Sequence, residues 1–130
     1  MKIAVLIARI LLGVIFLFFG LDHILNFWKM GLPPGDPGAY ATILFTHGVF
    51  SFVGVLQAMA GLLLLVGRYV PLALTVLAPI IVNILVFGLM IAHGGFIPGL
   101  VTLVLEVFLI IAYRRNFIPL LEASPEPTKP

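Results

Sequence analysis

The sequence predicts an all-α membrane protein folded as a bundle of four transmembrane helices. Hydrophobic residues make up 62% of the 130 residues and charged residues only 9%, against about 25% charged residues in soluble domains. The mean hydropathy is +1.27. Four apolar segments meet or approach the roughly 20 residues that a helix needs to cross the hydrocarbon core of a bilayer. So few charges cannot cover a surface in water, and lipid is therefore the expected solvent.

The spans follow one another in a single domain, residues 1–121, and their predicted bounds are about 3–27, 41–66, 71–92 and 98–113. A loop rich in glycine and proline, residues 31–38, separates the first two. A tight turn at residues 67–71 separates the second from the third, and Arg114 stops the fourth, which is the shortest. Residues 122–130 hold too little apolar surface to order themselves, so a disordered cytoplasmic tail is expected.

The basic residues predict the orientation. An even number of spans places both termini and the 67–71 turn on one side of the membrane. Cytoplasmic segments collect Lys and Arg, so both termini are predicted to be cytoplasmic. We also expect the first segment to be retained, because Arg9 interrupts its apolar run and no small-residue cleavage site follows. The predicted cytoplasmic side holds Lys2, Arg9, Arg68, Arg114, Arg115 and Lys129, and the other side holds only Lys29.

Small residues predict where the helices approach one another. In lipid, close backbone contact supplies much of the packing energy between helices, and small side chains permit it. The first span carries Gly13 and Gly20 on one face, and the second carries Gly54, Ala58 and Gly61. These faces are interpreted chiefly as packing surfaces. Pro79 lies in the middle of the third span and is expected to kink it unless neighbours compensate.

Two charged residues fall inside the predicted spans, where an unpaired charge costs several kcal/mol. At helical rise, Arg9 lies roughly 9 Å and Glu106 roughly 12 Å from the same membrane face. This similar depth favours an ion pair between the first and fourth helices. Two alternatives stay open: Glu106 is a proton site or a contact for a lipophilic ligand, or Arg9 extends to the headgroups.

Uncharged polar residues suggest a second set of contacts. Gln57 and Asn83 fall near the middle of the bilayer and should face the bundle, either bonded between helices or as the wall of a small polar pocket. Four other groups lie at the outer helix ends, where they are either solvated or part of a proton or quinone site. No tight ligand spacing supports a metal, and none is predicted. These outer groups are Asp22, His23, His47 and His93.

Several stretches resemble the DoxX-like family of small bacterial membrane proteins. They are RILLG at 9–13 with Phe16 and Gly20, GLLLL at 61–65 running into GRYVPLAL at 67–74, APIIVNIL at 78–85, and YRR at 113–115 with Phe117 and PLL at 119–121. The resemblance covers about nine tenths of the chain. It implies a four-helix bundle in the bacterial inner membrane, linked to redox systems; one namesake is a subunit of thiosulfate:quinone oxidoreductase. Glu106 matches the family pattern. Members often have a Glu where this chain has Gln57 and a His where it has Gly88.

The leading functional hypothesis is an accessory subunit of a quinone-linked membrane redox assembly, surrounded by lipid and bound to a redox partner protein. It would hold a quinone-like or other lipophilic molecule, with Gln57, Asn83, Glu106 and Arg9 as candidate contacts. The alternatives are a small transporter with a polar path through Glu106, Gln57 and Asn83, and a structural bundle that forms homo-oligomers through its glycine faces. The scattered basic residues form no stripe for nucleic acid. The chain has no cysteine, no nucleophile with its base and no nucleotide loop, so nothing in it indicates independent catalysis.

Overall fold

A computed structural model describes residues 2–25, 34–93 and 96–128 of the chain. Within these ranges the protein is helical and contains no strand, which confirms the all-α part of the predicted fold class. A five-residue π-helix, Phe87–Ile91, continues α4, and two short 3₁₀ helices, Arg114–Asn116 and Ile118–Leu121, follow α5. The five α-helices are α1 (Lys2–Leu25), α2 (Asp36–Thr46), α3 (Val49–Val66), α4 (Val70–Val86) and α5 (Ile97–Ala112).

Among the described residues, three helices are long and apolar enough, by length and composition, to cross a membrane. They are α1, α3 and the continuous helix formed by α4 with its π-helical extension, Val70–Ile91. α5 is also apolar but has only 16 residues. Large hydrophobic side chains cover the outside of the bundle, among them Ile3, Phe52 and Met90. An apolar outer surface of this kind suits lipid, whereas water would favour polar side chains there.

The second predicted span, residues 41–66, is wrong as a single helix. α2 ends at Thr46, and Gly48 turns the chain with a φ of +77°, a left-handed conformation that glycine adopts without strain. α2 also begins earlier than predicted, inside the segment assigned to a loop. Its first turn contains Asp36 and Pro37: the carboxylate suits the positive end of the helix dipole, and the proline needs no N–H donor there.

The other helix bounds lie close to their predicted positions. α1 covers Lys2–Leu25 against the predicted 3–27, of which residues 26 and 27 lie outside the described ranges. α4 with its extension ends at Ile91 against 92, and α5 spans Ile97–Ala112 against 98–113. Residues 122–128 form no helix, and the disorder of the tail stays a prediction. Pro79 lies inside α4 as expected, while the kink stays a prediction.

Glycines hold α1 and α3 in close antiparallel contact. A Cβ built on Gly61 would lie 2.7 Å from the carbonyl oxygen of Gly13. One built on Gly20 would lie 2.5 Å from the amide nitrogen of Ala58 and 2.7 Å from the carbonyl oxygen of Gly54. The backbones of α1 and α3 are therefore in contact at two places, near Gly13 and near Gly20, and small residues permit such contact in lipid. These glycine faces pack against each other within one chain, and the predicted homo-oligomer stays a prediction.

Apolar side chains fill the centre of the bundle between α1, α3, α4 and α5. At one end, Gly99 lets α5 approach α4: a Cβ there would lie 3.0 Å from the Cα of Leu85. The beginning of α5 thus packs against the end of α4, as expected for an antiparallel helical hairpin. The fully buried side chains at the centre include Leu12, Phe16, Leu64, Leu74, Leu77, Ile81 and Leu109.

Candidate functional site

A cavity of about 680 Å³ opens between all five α-helices. It lies in the half of the bundle that contains the end of α1 and the beginnings of α3 and α5. Its volume falls within the range of roughly 300–1,000 Å³ that is typical of small-molecule sites. The walls are mostly apolar, with a few polar groups converging on them. The apolar lining includes Phe16, Phe19, Phe50, Val53, Ile80 and Phe87, and the polar lining consists of His23, Tyr40, Gln57, Asn83 and Thr102.

His23 and Gln57 form a polar contact between α1 and α3 in the cavity wall. The Nδ1 of His23 lies 2.9 Å from the Oε1 of Gln57, and Gln57 is only 2% exposed. Because an amide oxygen only accepts, the imidazole donates its Nδ1–H, which leaves the Nε2 lone pair of the neutral ring as an acceptor. The imidazole also stacks on the ring of Phe50, with centroids 4.7 Å apart and planes 9° apart.

The backbone approach of α1 and α3 places this pair. A Cβ built on Gly54 would lie 2.9 Å from the Cβ of His23, so a larger residue at position 54 would displace the histidine. Gln57 is three residues further along α3, on the same face of that helix. The close packing that small residues provide in lipid therefore also sets the position of the imidazole in the cavity.

Tyr40 and Asn83 form a second polar contact in the cavity. The Nδ2 of Asn83 lies 3.4 Å from the hydroxyl oxygen of Tyr40, a long hydrogen bond in which the amide donates. The tyrosine ring packs on Phe87 with ring centroids 5.1 Å apart. With the amide as its donor, the Tyr40 hydroxyl keeps its own proton for a ligand acceptor. Tyr40 lies here because α2 begins at Asp36 and carries it over the cavity.

Thr102 adds a hydroxyl from α5. This hydroxyl donates within its own helix, with its oxygen 2.9 Å from the carbonyl oxygen of Gly99 and 3.2 Å from that of Pro98. Its oxygen keeps lone pairs that can accept a proton from another group. The cavity thus offers a hydroxyl donor at Tyr40 and acceptors at His23 and Thr102. Apolar walls with a few donors and acceptors suit a flat lipophilic molecule that carries oxygen atoms.

Two of the four candidate contacts predicted from the sequence line this cavity: Gln57 and Asn83. Arg9 and Glu106 are not among its lining residues. The polar path of the transporter hypothesis, which needs Glu106 to continue from Gln57 and Asn83, therefore receives no direct support from the cavity.

The predicted ion pair between Arg9 and Glu106 is wrong. Both carboxyl oxygens of Glu106 are buried without a hydrogen-bond partner, and so is the Nε of Arg9. The guanidinium lies instead beside the turn between α3 and α4, where its Nη1 would be 2.5 Å from a Cβ built on Gly67. Long helical side chains lean toward the helix N-terminus, and the C-terminal end of α3 attracts a cation. Arg9 therefore extends toward the end of the bundle, which was one of the alternatives.

The four outer polar residues do not converge. His23 enters the cavity, whereas His47 is exposed at the end of α2 and His93 is exposed with a φ of +46°. Asp22 precedes His23 on α1 and is half-buried. In the three described segments of the chain, no three His, Cys, Asp or Glu residues lie close enough together to hold a metal ion.

Tyr40 and Thr102 are cavity residues that the sequence analysis missed. Tyr40 follows the segment that was assigned to a loop, and the missed signal was Asp36-Pro37, a pair typical of a first helical turn. Thr102 is one weakly polar residue in an apolar run, and helices bury such residues routinely by bonding them to their own backbone. The sequence around Thr102 therefore gives no sign of a cavity.

Comparison of this chain with protein-family models, with curated proteins and with solved structures finds no match. The likeness to the DoxX-like family thus stays an expectation from the sequence. The cavity and the side chains that line it are therefore the features that bear on function.

Proposed function

We propose that this chain is a DoxX-like, four-span protein of the bacterial inner membrane and an accessory subunit of a redox assembly, and that it holds a quinone-like or other lipophilic molecule in its cavity. The observation that carries the proposal is the partly buried His23–Gln57 contact in the wall of a largely apolar cavity of about 680 Å³. Lipophilic sites in proteins combine apolar walls with a small number of placed polar groups in this way.

The polar groups match the chemistry of a quinone in both of its redox states. A quinone presents two carbonyl oxygens, which accept hydrogen bonds, and the hydroxyl of Tyr40 and the second N–H of the Asn83 amide can donate to them. A quinol presents hydroxyl groups, and the Nε2 of His23 can accept a hydrogen bond from one of them. The aromatic rings of Phe50 and Phe87 contribute to the wall and suit a flat ring.

Four spans with cytoplasmic termini are part of the proposal. α5 would be the fourth span: its 16 residues extend about 24 Å at helical rise, and Arg114 and Arg115 follow its end. Alternating helix directions would bring these arginines to the same end as Arg9 and Arg68. Collection of basic residues at one end supports a cytoplasmic location for that end.

Analysis of quinones in the purified protein tests the proposal. The chain is extracted from bacterial membranes in mild detergent, and bound quinones are counted by mass spectrometry. We expect about one quinone per chain in the wild type and a loss of most of it in His23→Phe, which removes the acceptor but keeps an aromatic ring. His47→Phe is the matched control, because His47 is an exposed histidine outside the cavity lining, and it should retain the quinone.

Two outcomes would contradict the proposal. Absence of a quinone or other lipophilic molecule from the wild type would remove the ligand, and equal content in all three proteins would place the ligand outside the cavity. The accessory-subunit part is tested in the same preparation by chemical crosslinking in the membrane before extraction. No crosslinked redox protein would count against an assembly.

A further inference from the structure

Glu106 is a buried acid that the cavity contacts described above do not use. It is 2% exposed, and both of its carboxyl oxygens are buried without a hydrogen-bond partner. Buried polar groups in proteins nearly always have a partner, and an acid within a membrane span is costly and commonly marks a functional site. Glu106 is therefore a buried acid whose function the contacts within the bundle do not explain.

The position of Glu106 on α5 connects it with the cavity. Gly99, Thr102, Glu106 and Leu109 are the buried residues of α5, and their spacing of three and four residues places them on one helix face. Thr102 lines the cavity, and Glu106 follows one turn later, about 6 Å further along the helix axis. Long helical side chains lean toward the N-terminus of their helix, so the Glu106 side chain leans toward Thr102 and the cavity.

No ionisable side chain on the helices packed against α5 is placed to pair with Glu106. α4 contains no ionisable residue, nor does α3, and Glu106 is the only one on α5. On α1, Arg9 lies beside Gly67 and His23 is bonded to Gln57, while Lys2 and Asp22 lie near the two helix ends. Since no side chain of these helices neutralises the Glu106 carboxylate, a bound proton is the group that can do so.

We propose that the Glu106 carboxyl is an internal proton-binding site that exchanges its proton with the ligand cavity through the hydroxyl of Thr102. The inference rests on the proposed function, because the proton comes from a hydroxyl group of a bound quinol-type ligand. In the transfer, the O–H bond of the ligand breaks and leaves its electron pair on the ligand oxygen, and an O–H bond forms on the Glu106 carboxylate. The Thr102 hydroxyl turns from the carbonyl oxygen of Gly99 toward Glu106, releases its proton there and accepts the ligand proton. No electron moves in this step.

Infrared difference spectroscopy tests the exchange directly. The wild type is reconstituted in liposomes, and a decyl-tailed benzoquinol is added as the probe. We expect the probe to change the carbonyl stretching band of a protonated carboxyl group, and Glu106→Gln to abolish that change. At a probe concentration that saturates each variant, Thr102→Val should also lose it, and Thr102→Ser, which keeps the hydroxyl, should restore it.

Thr75→Val is the matched control for the threonine variants. The Thr75 hydroxyl donates to the carbonyl oxygen of Pro71 in its own helix at 2.8 Å, but Thr75 is exposed and does not line the cavity. This variant should keep the band change. Thermal unfolding of each variant establishes that it is folded, and equilibrium dialysis measures binding of the probe separately.

Three outcomes would contradict the proton site at Glu106, the route through Thr102 or the proposed function. A wild-type band that does not respond to bound probe overturns the proton site and leaves the proposed function intact. A normal response in Thr102→Val overturns the route through Thr102. Failure of the probe to bind the wild type counts against the proposed function, and the inference falls with it.

Discussion

At the scale of single residues, Gln57 and Asn83 share the cavity but differ in burial. Gln57 is almost fully buried and accepts from His23, whereas Asn83 is exposed and makes only the long contact with Tyr40. Gln57→Leu should lower the free energy of unfolding by about 1–3 kcal/mol, because it leaves the Nδ1–H of His23 without its acceptor. Asn83→Leu should change it by less than about 0.5 kcal/mol. Unfolding in detergent, followed by circular dichroism, measures both, and equal losses would contradict the different burial of the two amides.

Glu106 supplies a test of the missing ion pair. Breaking a buried pair by removing one partner costs about 3–5 kcal/mol. Because Glu106 has no partner, Glu106→Gln should change the free energy of unfolding by no more than about 1 kcal/mol. Leu109→Ala, on the same face of α5, should cost about 2–5 kcal/mol and shows that the measurement detects losses in this region. A loss of the size of a broken pair in Glu106→Gln would restore the original prediction.

The same residues show how far a sequence can predict a membrane site. Gln57 and Asn83 were identified because polar side chains in apolar spans must find partners. The Arg9–Glu106 pair was wrong because counting residues gives only the depth of a side chain. Whether two groups at similar depth meet depends on the rotation of each helix about its axis and on the direction of the side chain, and packing decides both.

At the scale of helices, the contact of α1 with α3 makes a prediction about small residues. A methyl group at Gly61 would lie 2.6 Å from the amide nitrogen of Leu17 and 2.7 Å from the carbonyl oxygen of Gly13, and backbone atoms cannot move aside easily. Gly61→Ala should therefore lower the free energy of unfolding by about 1–3 kcal/mol. Ala4→Leu, at an exposed position of α1, is the control and should have little effect. Unchanged thermal unfolding of Gly61→Ala would contradict the close contact.

Hydropathy predicts some of the helix bounds and misses others. The bounds of α1, α4 and α5 follow from long apolar runs between strong breakers. The break at Gly48 was missed because a single glycine in an apolar run is compatible with a helix, and only its φ of +77° shows the turn. The start of α2 was missed because proline and glycine are common both in loops and in the first turn of a helix.

At the scale of the whole molecule, composition predicted the class of fold but not the cavity. The backbone groups of a chain in lipid have to bond internally, and apolar runs of about 20 residues do so as helices. A cavity of about 680 Å³ depends instead on small gaps between five helices, including α2, whose position no periodicity revealed. The size and lining of a site between helices are therefore properties of the packing and cannot be counted from the spans.

The central claim is that this bundle lies in lipid with its basic ends in the cytoplasm, and cysteine labelling tests it most directly. The chain contains no cysteine, so single cysteines report one position each. Lys2→Cys, Arg68→Cys and Arg115→Cys should react with a membrane-impermeant maleimide only in inverted vesicles. Pro34→Cys should react in intact spheroplasts. Labelling of Arg68→Cys from outside intact spheroplasts would contradict the proposed orientation, and equal labelling of all four from both sides would contradict a membrane-spanning bundle.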